Sequence, residues 1–468
     1  MKACNRILLA CVALNVTLAA LSGCASSVPL KVAEAPLARG DEFIFVNSLH
    51  CNRDQTVAAM GFLGDPTWPK GKGVALHSDD QGLTWRMVDL GAGADGVSVS
   101  LVALPVKDQQ SEEPLYASGY LIGGLSLSFD RRPGPWWMSQ DGGRSWVQAP
   151  DLYPLPVSNV TVLSTDPGGL PAPLRPIVVA DEQGTLLTIR GGTDSVGGSM
   201  VAGKPSADAL LRSTDGGKTW ELAPSHNILS LKSLVTNTRG HAVVAGLPGF
   251  EVGKPVMVFW SDDSGANWTR AVFANAPEVS PGEGLVAMTM PSIWLYGNAD
   301  ETLIAYTGSS IYRSEDGGRS WQGPLQLKGE SHITAITGDG KSRVVALMAS
   351  GAAMVSDDAG KTWGRRETGV QMPPRASGSF RPPPTARLVS AGNGVLLAHF
   401  GGGRFARSAD WGETWHTVDS QLPDKSYGLR VSCTDGRGLI VVGGDWGMLT
   451  RSTDWGATWQ RARMADKP

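Results

Sequence analysis

Aspartate is the residue type whose placement in this chain most invites chemistry. Asp80, Asp141, Asp215, Asp263, Asp316, Asp358, Asp410 and Asp454 each stand two residues before a Gly and five before a Trp. Carboxylates repeated in this way could hold calcium or act as acids. An Asp two residues before Gly is also placed to accept backbone N–H groups across a tight turn, which makes it a turn former. That second reading is adopted, with no metal and no cofactor expected. Other carboxylates are Glu251, Glu278, Glu283 and Glu330; a glycoside hydrolase would need two of them roughly 5 to 10 Å apart. There is no Gly-x-Ser-x-Gly elbow and no HExxH helix motif. The seven His are scattered without ligand spacing, and His332 and His399 fall in or beside strand-like runs, as packing residues do.

Groups suited to holding a ligand form a second set. These are Arg131, Arg132, Trp136 and Trp137, then Arg190, then Arg375, Phe380, Arg381 and Arg387, with Tyr427 further on. Arg beside an aromatic ring suits a carboxylate, a sugar face or a protein segment. They fall in or next to the longer connecting stretches, 61–72, 122–135, 181–208, 248–254, 275–289 and 368–387, where recognition usually resides on a rigid scaffold.

The scaffold follows from an internal repeat. The octapeptides SDDQGLTW, SQDGGRSW, STDGGKTW, SDDSGANW, SEDGGRSW, SDDAGKTW, SADWGETW and STDWGATW begin at Ser78, Ser139, Ser213, Ser261, Ser314, Ser356, Ser408 and Ser452. Every one reads Ser-x-Asp-x-Gly-x-(Thr/Ser/Asn)-Trp. Gly at the fifth place supplies a positive φ, and the closing Trp has a large face to bury. Between boxes, short runs of β-branched and apolar residues separated by Gly, Asp and Asn read as antiparallel meanders, four strands to a unit. In the first unit these are 43–47, 56–62, 73–78 and 84–88; the last closes with 460–464. Units of this period predict an all-β chain, a single eight-bladed β-propeller of four-stranded antiparallel blades, with seven blades as the alternative. The propeller spans 41–468 as one domain.

The octapeptide resembles the Asp-box, or bacterial neuraminidase repeat. That resemblance implies that the boxes form the turns between third and fourth strands, on the face opposite the binding site. It raises a sialidase reading, which the residues do not support. Sialidases open on Phe/Tyr-Arg-Ile-Pro, whereas the first strand here reads Phe43-Ile44-Phe45-Val46-Asn47. The nearest echo, Leu174-Arg175-Pro176-Ile177, has the wrong order and lies in the third unit. Tyr427 precedes the innermost strand of the eighth unit, a place for a nucleophile, but no Glu can be assigned to it. Photosystem II assembly factor-like propellers share the repeat and are binding proteins. The expected function is therefore a non-catalytic propeller holding a protein or glycan, as scaffold or assembly factor, in a monomer; a glycoside hydrolase of sialidase-like fold is the alternative.

Composition bounds the partners. The 468 residues carry 41 Lys+Arg against 44 Asp+Glu, a net charge of −3, so there is no basic field to gather nucleic acid. With 41% hydrophobic and 18% charged residues the chain can build cores. Lys2 and Arg6 precede an apolar stretch, 7–21, too short to span a membrane stably, and Leu21-Ser22-Gly23-Cys24 resembles a bacterial lipobox. The expectation is a signal peptide over 1–23, a lipid on Cys24, a linker over 24–40 and attachment to the outer membrane of a bacterial envelope through that lipid alone. Of five Cys, Cys51 and Cys433 then remain, at equivalent places after the innermost strands of the first and last units. Either they form a disulfide across the ring closure, or both are free buried thiols.

Overall fold

The computed structural model describes residues 38–39, 42–52, 54–64, 72–91, 94, 98–103, 121–127, 136–149, 178–190, 209–215, 221–223, 230–237, 239–247, 252–278, 280–281, 288–289, 293–297, 302–329, 332–370, 386–400, 403–423 and 428–465. Among them there is no α-helix, and the strands form antiparallel meanders in chain order. The first sheet runs Glu42–Cys51, Val57–Gly64, Lys72–Ser78 and Thr84–Val88. The fifth runs Trp294–Tyr296, Leu303–Thr307, Ser310–Ser314 and Ser320–Gln326, and the eighth Leu429–Thr434, Ile440–Gly444, Leu449–Ser452 and Gln460–Arg461. The sheets between them repeat the same order.

The second strand of each sheet explains the arrangement. Val57–Gly64, Ala242–Leu247, Val344–Met348, Val395–Phe400 and Ile440–Gly444 are buried at every residue. A strand buried on both faces reads as an unbroken apolar run rather than an alternating one. Both faces are covered because consecutive sheets pack face to face. One cluster joins Met60 and Ala75 of the first sheet to Trp137 of the second. Others join third to fourth, fourth to fifth, fifth to sixth, sixth to seventh and seventh to eighth. Outer strands such as Thr269–Arg270 and Gln460–Arg461 are exposed. Innermost strands carry a register shift, at Val46/Ser48, Leu231/Ser233, Ile333/Ala335, Ser390/Gly392 and Leu429/Val431. Such bulges increase local twist.

The last sheet packs on the first. Ile44, Val57, Leu76 and Trp85 share a core with Leu439, Val441 and Leu449. The expected closing strand 460–464 is divided: Gln460–Arg461 stays in the eighth sheet, and Arg463–Met464 crosses to pair in parallel with Thr84 and Trp85. The crossing turns on Ala462, buried, whose N–H donates to Leu449 C=O. Its small side chain fits where the chain passes from one sheet to the next. Ala271 occupies the same place, three residues after a box Trp, and Val272–Phe273 crosses to the fifth sheet in the same way. Cys51 and Cys433 are joined by a disulfide with Cα atoms 5.5 Å apart.

A crosslink spanning nearly the whole domain acts on the unfolded chain, so replacing Cys51 and Cys433 together by Ser is expected to lower stability by about 3–5 kcal/mol. Chemical denaturation of the double variant measures this. Unchanged stability, or two free thiols in the native wild-type chain under non-reducing mass spectrometry, would contradict it.

Candidate binding face

Each box is a corner between third and fourth strands. In the first, the Ser78 hydroxyl donates to Asp80 Oδ1 (2.8 Å) and accepts from Gly82 N–H (2.8 Å). Asp80 accepts from the Thr84 N–H (2.8 Å) and hydroxyl (2.7 Å). The Trp85 indole donates to Gly82 C=O at 2.9 Å. The same set recurs around Asp263, Asp316, Asp358, Asp410 and Asp454. Around Asp141 the Ser and Asp bonds are likewise present, and for Asp215 the bond from Ser213. Partial burial pushes these carboxyls up, but the hydrogen bonds outweigh it and hold them below their ordinary value, Asp358 at about 2. Asp80 accepts three bonds from its own turn.

Places four and five of the box are both left-handed: Gln81, Ser264, Ala359, Trp411 and Trp455 at φ 56–62°, each followed by Gly at 79–88°. This conformation turns the fourth-place carbonyl out of the sheet, and a donor from the preceding sheet meets it. Asn52 donates to Gly142 C=O (3.2 Å), Arg212 to Ser264 (3.0 Å), His241 to Gly317 (2.6 Å), Arg313 to Ala359 (2.8 Å) and Arg407 to Trp455 (2.6 Å). Arg343 and Arg451 reach the carbonyl one place earlier, at Asp410 and Asp80 (both 3.4 Å). Box charges add to the contact, as between Asp79 and Arg144, Asp262 and Arg319, and Glu315 and Lys361.

With the box corners committed to holding sheets together, the other end of the strands is the face available to a ligand. Second strands start beside the box Ser, as Leu303 pairs with Ser314, so they finish at that opposite end. There, Trp294 opens the innermost strand of the fifth sheet with 43% of its surface exposed, directly across the ladder from Tyr306. Burial pushes the Tyr306 phenol up to about 12, and Arg387 nearby opposes this. Arg387, exposed, opens the innermost strand of the seventh sheet and pairs in register with His399. His399 is fully buried, and that burial, with Arg387 adding to it, drives the imidazole down to about 3. At the closure, Trp446 (φ 58°) stands edge-on to Phe43 with centroids 5.4 Å apart and tilts over Phe45 at 5.3 Å. An exposed indole and an exposed guanidinium on one rim can stack a ring and pair a carboxylate.

The sequence-derived ligand set meets this face only in part. Trp137 is corrected: it is 1% exposed, and its indole donates to Leu90 C=O at 2.9 Å, so it is core. Arg190 ends the second strand of the third sheet, at the ligand-facing end. Arg131, Arg132, Arg375, Phe380, Arg381, Tyr427 and the lipobox Cys24 lie outside the described residues, as do Glu251, Glu283 and Glu330. Glu278 is exposed, in an isolated bridge to Pro255. Trp294 was not singled out by sequence; its signal is a Trp that opens a strand rather than closing a box.

Residues 192–468, more than half the chain, match the family model described as photosynthesis system II assembly factor YCF48. No curated protein matches. Among solved structures, one of YCF48 bound to D1 peptide is 14% identical, covering 90% of this chain and 99% of that one, with a TM-score of 0.41. Chaetomium thermophilum Sqt1, bound to the N-terminus of the ribosomal protein L10, is 11% identical over 90% and 98% of the two chains, TM-score 0.50. The C-terminal WD40 domain of Sif2 is 9% identical over 90% and 97%, also at 0.50. The fold shared is a β-propeller.

A carboxyl held below its unfolded value of about 3.9 stabilises the fold fully above that value and ceases to as pH falls through its folded one. The box carboxylates thus begin to lose their contribution as pH falls below about 4, and that of Asp358 is lost as pH falls through about 2. Asp358→Ala is expected to cost on the order of 2 kcal/mol at neutral pH and to flatten this acid limb, both read by circular dichroism. A variant with wild-type stability and acid response would show that the corner does not rest on its carboxylate.

Proposed function

The chain belongs to the photosynthesis system II assembly factor YCF48 family, and on that basis we propose that it is a non-catalytic scaffold that holds a protein segment against the end of its propeller opposite the boxes. The observation that carries this reading is the exposed Trp294 on the same rim as the exposed Arg387. A large amphipathic ring and a cation at the mouth of a rigid ring fit an extended segment bearing a carboxylate. The connecting stretches with Arg131, Arg132, Arg190, Arg375 and Arg381 belong, in this reading, to the same face. Protein is favoured over glycan by the family.

The propeller is proposed to have eight blades, one box to each, in a single domain over 41–468. A lipid on Cys24 anchors it in the bacterial envelope, at the outer membrane. The Cys51–Cys433 disulfide supports an oxidising compartment, because such bonds are rare in the cytosol.

A photo-crosslinking residue at position 294 or 387 is expected to capture a protein partner in cells, and one at the exposed box residue Lys361 is expected not to. Trp294→Ala with Arg387→Ala should weaken binding of that partner at least about tenfold, as loss of a central anchor does, with the thermal midpoint unchanged. Equal capture at all three positions, or none at 294 and 387, would sink the reading. Cys24→Ser is expected to move the chain from the membrane to the soluble fraction; a membrane-bound variant would refute the anchor.

A further inference from the structure

At six of the seven seams where the donor is seen, the group reaching the next box carbonyl is an Asn or an Arg, whose donor capacity does not change near neutral pH. At the seam between fourth and fifth sheets it is His241. The imidazole side chain is 8% exposed. Its Nε2 lies 2.6 Å from Gly317 C=O, and its Nδ1 lies 2.6 Å from Asp262 Oδ1. A carbonyl and a carboxylate only accept. Both contacts are hydrogen bonds only while each ring nitrogen carries a proton, and in the neutral ring one of them sets a lone pair against an oxygen.

The surroundings favour the doubly protonated ring over any alternative donor. Asp262 is itself clamped by Arg319 from the fifth sheet through two contacts of 2.8 Å. Arg319 also donates to Asp316 C=O at 2.9 Å and lies 4.7 Å over the Trp260 ring, so it is not free to move onto Gly317. The charged groups around the imidazole are thus Asp262 on its own sheet, Arg319 and Asp316 on the facing box, and Arg239 on its own turn. Partial burial raises the Asp262 carboxyl, but the bonds from His241 and Arg319 and their charges bring it below its ordinary value. Just beyond, Val272 N–H donates to Arg319 C=O at 2.8 Å, where the chain crosses between these two sheets. In the sixth sheet the residue before the second strand, the place of His241, is Arg343, which makes the corresponding contact.

We propose that the seam between the fourth and fifth sheets is a proton-dependent latch, closed while His241 carries both protons and loosened as pH rises, and that it is the part of the ring whose tightness follows pH. Loosening it frees the crossing strand Val272–Phe273.

Hydrogen exchange by mass spectrometry on the full chain tests this. Protection of the amides over 269–275 is divided by that over 356–363, whose carbonyl is latched by Arg313, so that the intrinsic pH dependence of exchange cancels. The ratio is expected to fall about tenfold between about pH 5.5 and about pH 8.5, the size expected for losing one charge-assisted bond. In Asp262→Asn the amide can donate to a neutral ring, and in His241→Arg the donor is permanent; in each the ratio is expected to hold constant. A wild-type ratio that stays level across the range, or a fall that persists in either variant, would overturn the latch. Should one variant fail to fold, the wild type and the other still decide it.

Discussion

A backbone carbonyl turned sideways is what the ring depends on. Two successive left-handed residues inside each of the seven boxes whose turn is described aim the oxygen at the preceding sheet, where Asn52, Arg212, His241, Arg313, Arg343, Arg407 or Arg451 meets it or its neighbour. Apolar burial between sheets is non-directional, and would let them slide or splay. A hydrogen bond at one fixed corner sets the height at which each sheet meets the next. The box Asp and Ser serve that geometry by holding the turn in an unfavourable conformation, which bulky residues such as Trp411 and Trp455 adopt only under constraint.

This division of labour separates the two ends of the molecule. One end is occupied by corners whose polar groups are committed to each other and to the neighbouring sheet. The other is free of that duty, and there the chain varies: minimal turns in some sheets, long connections in others, with Trp294 and Arg387 at the rim. A rigid ring with one end given to holding sheets together leaves the other end open to change without loss of stability.

How far this could be read from the sequence depends on whether a feature leaves a mark in side chains. The corners do, because Ser, Asp, Gly and Trp each have a fixed task, and the buried second strands do, because both their faces are apolar. That Cys51 and Cys433 hold equivalent places was also legible, although both lie within the innermost strands rather than after them. The latches were not: their constant partner is a main-chain oxygen, and their donors come from three residue types at differing places in the meander. Trp137 shows a different limit. Adjacent residues in a strand point to opposite faces, and nothing local says which face the next sheet covers; Leu90 C=O receives the Trp137 indole from 47 positions away. Trp294 gains its significance only from standing where a strand meets the rim.

The disulfide at the closure has a temporal side. Its two sulfurs are separated by 382 positions, and a ribosome makes them in that order. For most of its synthesis the growing polypeptide displays Cys51 without a mate, and the strand that receives Arg463–Met464 waits just as long. The crosslink thus cannot form until Cys433 has been made, so a product interrupted before it differs chemically from a finished one in keeping Cys51 unpaired with Cys433.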